Sequence, residues 1–303
     1  MTNPASAAAR DTTTPEAVDL EQAPPVEPLA VRVERQIKEG RLTLPVMPAV
    51  ALDVQRLIEA DAGIPAVATA IGRDPSIAAA VIKYANSAMY AGLRDVTDIQ
   101  QAVMRLGLQP VQQAVTALSA RSLFERAAPA HAELYKRIWR HSLTTALASR
   151  RLASRVRIAP DTAFLAGLLH DLGKVVVLQS VAGLQGRAPA GFAIDDATVL
   201  EFVEALHCSV GDMLFETWKI PSDLRDVLRR HHDPSLSGVG DMLVAVVQMA
   251  DLLAAKVGAS LHPDPELSLV DCPAAALLRL DDVKLASLLV DLEDDLEATH
   301  DAF

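Results

Sequence analysis

Cysteine is almost missing from this chain of 303 residues: Cys208 and Cys272 are the two it has, they form no CxxC, and they suggest no disulfide framework. Both thiols read as structural, and their scarcity fits a reducing compartment, so a cytoplasmic protein is expected. Aromatic residues make up only 4%, and no convincing alternating strand pattern appears. No uninterrupted apolar run reads as long enough to span a bilayer, and the opening MTNPASAAAR lacks the basic-then-apolar order of a secretion signal. Positive charge is in deficit too. A formal net charge of −11 argues against broad binding to nucleic acid or to an anionic membrane, so any polyanion site must be local.

What is present is apolar helix. The chain is 50% hydrophobic, with a mean hydropathy of +0.22, enough for one large core or two modest ones. Residues 1–28, ending in TTTPEAVDLEQAPPVEP, are rich in Pro, Thr, Ala and acids and read as a disordered tail. From Val31 the pattern is helical nearly throughout, with Pro45, Pro48, Pro65, Pro75, Pro110, Pro129, Pro160 and Pro221 where helices would start or separate. The expected fold is all-α, with one helical lobe over residues 29–128, a second with longer helices over 129–260, and a linker with an acidic amphipathic helix over 261–303. In that last helix Leu285, Leu288, Leu289, Leu292 and Leu296 form one stripe, expected to dock on this chain or on a second copy, as in a homodimer. Residues 175–177, VVV, are read as part of a buried helix, and 183–196 as the longest internal loop.

The polar residues inside apolar helices carry the chemistry. His141 shares a helical face with Leu134, Ile138, Ala148 and Leu152 and should point inward. Asp251 is wrapped by Val244, Val246, Val247, Met249, Ala250, Leu252, Leu253 and Ala254, with no Lys or Arg three or four residues away, so its counter-charge must come from another segment or a metal ion. His170 and Asp171, set between leucines and valines in GLLHDLGKVV, pose the same problem. Four inward groups from three helices would make a nitrogen-and-carboxylate cage for a divalent metal, iron, manganese or zinc, with His207, His231 and His232 able to join. Such a cage permits metal-assisted hydrolysis, with Asp171 able to bridge two ions and Lys174 able to hold a phosphate oxygen.

Blander readings stand beside these. A single inward histidine is more often a hydrogen-bonded core residue, His231 and His232 could cap a helix end, and the glycine and lysine of DLGK could end a helix. A basic stripe, Lys136, Arg140, Arg151 and Arg155, with Arg225, Arg229 and Arg230 near the double histidine, could guide a phosphate, although such stripes are ordinarily solvated faces. Residues 63–87 look like a helix-turn-helix, yet between Ile64 and Arg94 the charges are Arg73, Lys83 and Arg94 against Asp74, too weak an excess for DNA binding to be expected.

The order His141, His170-Asp171, Asp251 resembles the H…HD…D pattern of the HD phosphohydrolase superfamily. LPVMP at 44–48, IGRDPSIAAAVIKYANSAMY at 71–90 and IQQAVMRLGLQPVQQAV at 99–115 narrow the resemblance to the HDOD family, the HD-related output domains of bacterial signalling. WRHS at 139–142, AGLLHDLGK at 166–174, HCSVG at 207–211, ETWKIP at 216–221 and RRHHDP at 229–234 agree, so the likeness covers about residues 37–258. It implies two helical lobes, the second an HD-like bundle, and a regulatory role often without catalysis. It carries the superfamily's metal positions onto His141, His170, Asp171 and Asp251. His207, His231 and His232 resemble the extra histidines of the HD-GYP cyclic-di-GMP phosphodiesterases. After the double histidine, however, the chain reads DPSLSGVGD, with no GYP, so cyclic-di-GMP cleavage is not expected. The partners implied are signalling proteins and a nucleotide or cyclic-dinucleotide ligand.

Overall fold

The structure is a computed structural model and describes residues 31, 35–36, 39, 44–87, 90, 92, 94–125, 131–186 and 194–299. The expected tail, residues 1–28, lies outside the described residues, as does 187–193 of the expected long loop. Among the described residues there is no strand, and the fold is all-α.

The first helices are short because their sequence stops them: α1 (Ala49–Glu59), α2 (Ile64–Ile71), α3 (Pro75–Ala85) and α4 (Ile99–Leu106). The Asp74 carboxylate accepts from the Ser76 and Ile77 amides at the start of α3, and Asp98 accepts from Gln101 at the start of α4. Gly107, at φ +84, turns the chain into α5 (Leu108–Glu125). This helix packs on α1, α3 and α4 and, across the chain, on α7 (Pro160–Leu169). The apolar cluster is therefore continuous from Met47 to Leu292. A polar clasp joins the halves on the same side. Tyr84 of α3 and Tyr90 both donate to the Asp161 carboxylate at the start of α7, and Arg150 donates to Tyr84 Oη (2.9 Å) and Asp161 (3.1 Å).

The second half is a bundle of α6 (Ala132–Ala153), α7, α8 (Leu172–Gln185), α9 (Asp196–Thr217), α10 (Ser222–Arg230) and α11 (Met242–Lys256), with α12 (Pro273–Leu278) on α11. Residues 175–177 lie inside α8, as expected, and α8 runs on to Gln185, so the loop that follows is shorter than 183–196. Taken end to end, α7 and α8 cover 26 residues, and an 18-residue stretch within them has a mean hydropathy of 1.4, although His170, Asp171 and Lys174 interrupt it. That apolarity belongs to the core, since 83% of the 18-residue stretch is buried within the chain itself.

Two glycines set how closely these helices approach. A Cβ on Gly167 of α7 would lie 2.6 Å from Ser149 Oγ and 2.8 Å from the Thr145 carbonyl of α6. On Gly173 of α8 it would lie 1.9 Å from the His207 carbonyl oxygen of α9. Gly173 therefore does not end a helix; it stands in the first turn of one and lets another helix touch it backbone to backbone.

The acidic helix α13 (Asp282–Thr299) docks on this chain, against α6. Leu285, Leu288 and Leu292 are buried, Leu289 and Leu296 pack at the edge, and Arg151 grips the Asp295 carboxylate through two bonds, one of 2.6 Å. Arg155 reaches Asp291 at 3.4 Å. Half of the basic stripe expected to face a phosphate is thus spent on an internal carboxylate pair.

Gly173→Ala is expected to destabilise the fold by about 3 kcal/mol or more, because backbone rather than a flexible side chain must move. That corresponds to a fall in Tm of roughly 6–12 °C. Gly183→Ala, on the same helix with nothing near its Cβ position, should leave Tm unchanged or slightly raised. Equal losses in the two variants, read by thermal unfolding, would show that the contact with α9 is not tight.

Candidate metal centre

Five segments converge on one buried point. His141 sits mid-way along α6 on its apolar face and is 2% exposed. His170 and Asp171 occupy the break between α7 and α8, where Asp171 leaves helical geometry (φ −106°, ψ 12°), and each is 1% exposed. Asp251 comes from α11 with 18% of its side chain exposed. From α9 comes His207, and from the end of α10 come His231, buried, and His232, exposed. The turn bearing the double histidine is fastened to α11 by Gln248, whose amide donates to the carbonyls of His231 and Asp233, both at 3.0 Å.

Asp171 is the hub. Its Oδ2 lies 3.2 Å from His141 Nε2, 3.3 Å from His170 Nε2 and 3.0 Å from Lys174 Nζ. Its Oδ1 faces the other way, 3.5 Å from His207 Nε2 and 3.6 Å from His231 Nε2. Asp251 Oδ1 stands 3.2 Å from His141 Nε2. Neither oxygen of Asp171 is aligned to accept a hydrogen bond from any of these groups.

The histidine tautomers explain what is missing. The Nδ1 of His141 lies 2.9 Å from the Ala259 carbonyl, that of His170 2.7 Å from Gly167, that of His207 2.9 Å from Glu204 and that of His231 3.0 Å from Leu228. A carbonyl only accepts, so each Nδ1 carries the proton, and in a neutral ring Nε2 is a bare lone pair. Yet these nitrogens face one another: His141 and His170 at 3.3 Å, His207 and His231 at 3.4 Å, His207 and His232 at 3.3 Å. Lone pairs so placed repel unless a cation lies between them. A borderline divalent ion satisfies them and the orphaned Asp171 oxygens together, so the donor set fits a metal. His141, His170, Asp171 and Asp251 would hold one ion, and His207, His231 and His232, with the second oxygen of Asp171, another.

Without metal, protons do part of the same work. Burial disfavours a charged His141, but Asp171 and Asp251 outweigh it and push its pKa up to about 10. Burial alone would raise Asp171 and Asp251; His170, Lys174 and His141 hold the first well below the usual carboxylate range, and His141 does the same for the second. Burial pushes His207 and His231 down, so these rings are neutral.

Not every expected residue faces this point. Arg225 is bound to Asp212 (2.8 Å), Arg229 to Asp226 (2.9 Å) and Arg230 to Asp241 (2.8 Å) and Asp233 (3.1 Å). Reading them as phosphate-seeking cations overlooked these acids, two of them only three residues away in the chain. Lys174 is at the site, but its ammonium is held between Asp171 and Glu204, 3.0 Å from each, rather than free for a phosphate. Sequence reasoning missed Glu204, one turn before His207, and set Cys208 aside although its Sγ lies 3.3 Å from His207 Nε2.

Residues 44–234 match the HDOD domain, a span of more than half the chain. The chain belongs to the HDOD family. Among solved structures, this HDOD protein resembles a candidate metal-dependent phosphohydrolase from Shewanella amazonensis SB2B, at 23% identity and a TM-score of 0.69 over 87% of this chain and 98% of that one. It also resembles an HDOD domain protein of unknown function from Geobacter sulfurreducens, at 24% identity and a TM-score of 0.63 over 89% and 94% of the two chains. An uncharacterised protein of Treponema pallidum (strain Nichols) is 24% identical over 198 residues, which is 63% of this chain but only 38% of that protein. At these identities the likenesses establish the fold.

A proton and a metal ion compete for His141 Nε2, so metal affinity should rise with pH, by up to about tenfold per unit, until it levels near the raised pKa of His141. At pH 8 the first equivalent of manganese(II), an ion that nitrogen and oxygen donors suit, should release about one proton. Titration calorimetry in two buffers of different ionisation enthalpy measures that number, and a value near zero would mean that His141 is not charged in the metal-free site.

Proposed function

We propose that this HDOD protein is a bacterial signal-transduction module whose regulatory centre is a divalent metal site on His141, His170, Asp171 and Asp251, extended by His207, His231 and His232. The observation that carries this is the set of imidazoles whose Nδ1 protons are given to backbone carbonyls while their Nε2 atoms close on both oxygens of one buried carboxylate. A core packed for stability alone would not gather so many lone pairs. In this reading the module acts in the cytoplasm by binding signalling proteins or a small ligand, and iron, manganese or zinc is the ion. One of the solved structures it resembles, from Marinobacter aquaeolei VT8 at a TM-score of 0.59, is called a candidate signal transduction protein, again at only 22% identity.

A second reading, a metal-dependent phosphohydrolase acting on a nucleotide or cyclic dinucleotide, is favoured by the partial exposure of residues around the centre. Asp251 and Glu204 keep 18% and 32% side-chain exposure and His232 is exposed, so a phosphate could reach the centre. Bound ions would supply Lewis-acid polarisation of a phosphoryl oxygen and a lowered pKa for water. This chain's own part would be to orient: Asp171 holds its carboxylate between both donor groups, and Lys174 keeps it ionised.

The purified protein should contain iron, manganese or zinc in stoichiometric amount by elemental analysis. His170→Ala with Asp171→Ala should abolish that metal while far-UV helicity stays largely intact. Metal retained by the double variant would refute the site. Turnover of any nucleotide or cyclic dinucleotide by the metal-loaded protein, lost in the double variant, would decide for the hydrolase, and metal without turnover for the regulatory module.

A further inference from the structure

The two halves of the centre differ in their chemistry. On the His141 side the donors are nitrogen and oxygen only. On the other side Cys208 follows His207 along α9, and the donor atoms of His207, Cys208, His231 and His232 all lie within 4.8 Å of one another. Cys208 is partly buried, with its Sγ 3.3 Å from His207 Nε2. The same point is faced by a second, independent group: Asp171 Oδ1, on a side chain 1% exposed, accepts no hydrogen bond and is aimed at His207 and His231. The close contact at Gly173 holds this arrangement in place, because it presses the His207 turn of α9 onto the first turn of α8.

We infer that Cys208 is a ligand of the second metal position, bound as a thiolate beside His207, His231 and His232. This rests on the reading of the pocket as a metal centre and specifies its second half. On binding, the S–H bond breaks, the proton leaves to solvent, and the sulfur lone pair forms the bond to the metal, with no change of oxidation state. The consequence is two unlike positions. The one with nitrogen and oxygen donors accepts manganese or iron as readily as zinc, whereas a thiolate among imidazoles favours zinc or cobalt(II) over manganese and magnesium. In the metal-free chain the thiol is placed to donate to His207 Nε2.

Cobalt(II) is the probe. The full-length metal-free chain, loaded with cobalt, should take up two equivalents and show a thiolate-to-cobalt charge-transfer band in the near ultraviolet. Cys208→Ser should lose the band and bind the second equivalent roughly 10–100-fold more weakly or worse, since even residues behind the ligands cost that much. Cys272→Ser, whose sulfur instead caps α12, should keep both. In the unmodified chain, which avoids any question of folding, zinc should protect Cys208 from iodoacetamide, read by mass spectrometry of its peptide. Two equivalents of cobalt with no band, a band that survives Cys208→Ser, or alkylation that is indifferent to zinc would overturn the assignment of Cys208 and leave the metal centre standing. No cobalt bound at all would overturn the metal centre, and this inference with it.

Discussion

A carboxylate buried to 1% exposure cannot remain charged without company, and Asp171 is placed where company must come from every direction. The groups that hold its charge, His141, His170 and Lys174, arrive on α6, at the end of α7 and on α8, while the neutral His207 and His231 of α9 and α10 close the other side. The small residues of the bundle follow from this. Gly167 and Gly173 lie at the two crossings where α7 meets α6 and α8 meets α9, on either side of the His170-Asp171 break. A side chain at either would push apart the helices that carry His141 or His207. Packing and site are one constraint seen from two sides.

Charge is rationed in the same way. The chain is acidic overall, yet its cations are committed to particular acids: Arg151 and Arg155 to α13, Arg225, Arg229 and Arg230 to acids around α10, and Lys174 to the centre itself. A phosphate arriving at the pocket would meet carboxylates and imidazoles first. Side-chain cations already paired with acids would attract it weakly.

The fold and the convergence of the inner polar residues were legible because both write themselves in register. His141 and Asp251 stand out as polar residues on apolar helical faces, and His170-Asp171 as a polar pair inside an apolar run; the structure brings all of them within reach of one another. Register does not report what crosses from one helix to another. The contact of Lys174 with Glu204, 30 residues apart, and that of Arg151 with Asp295, 144 residues apart, have no local signature. Cys208 was passed over for a different reason: a cysteine without a CxxC partner looks inert until its neighbours in space are known. Gly173 was ambiguous, since a glycine followed by a lysine marks a helix end as readily as a close approach.

The clasp of Tyr84, Tyr90 and Arg150 on Asp161 fixes the first residues of α7, and His170 terminates the same helix nine residues on, roughly 14 Å away at the rise of an α-helix. Buried on nearly all sides, α7 has the clasp at one end and the buried His170 imidazole at the other. One helix thus carries, at its two ends, the clasp that joins the halves of the chain and an imidazole of the candidate centre.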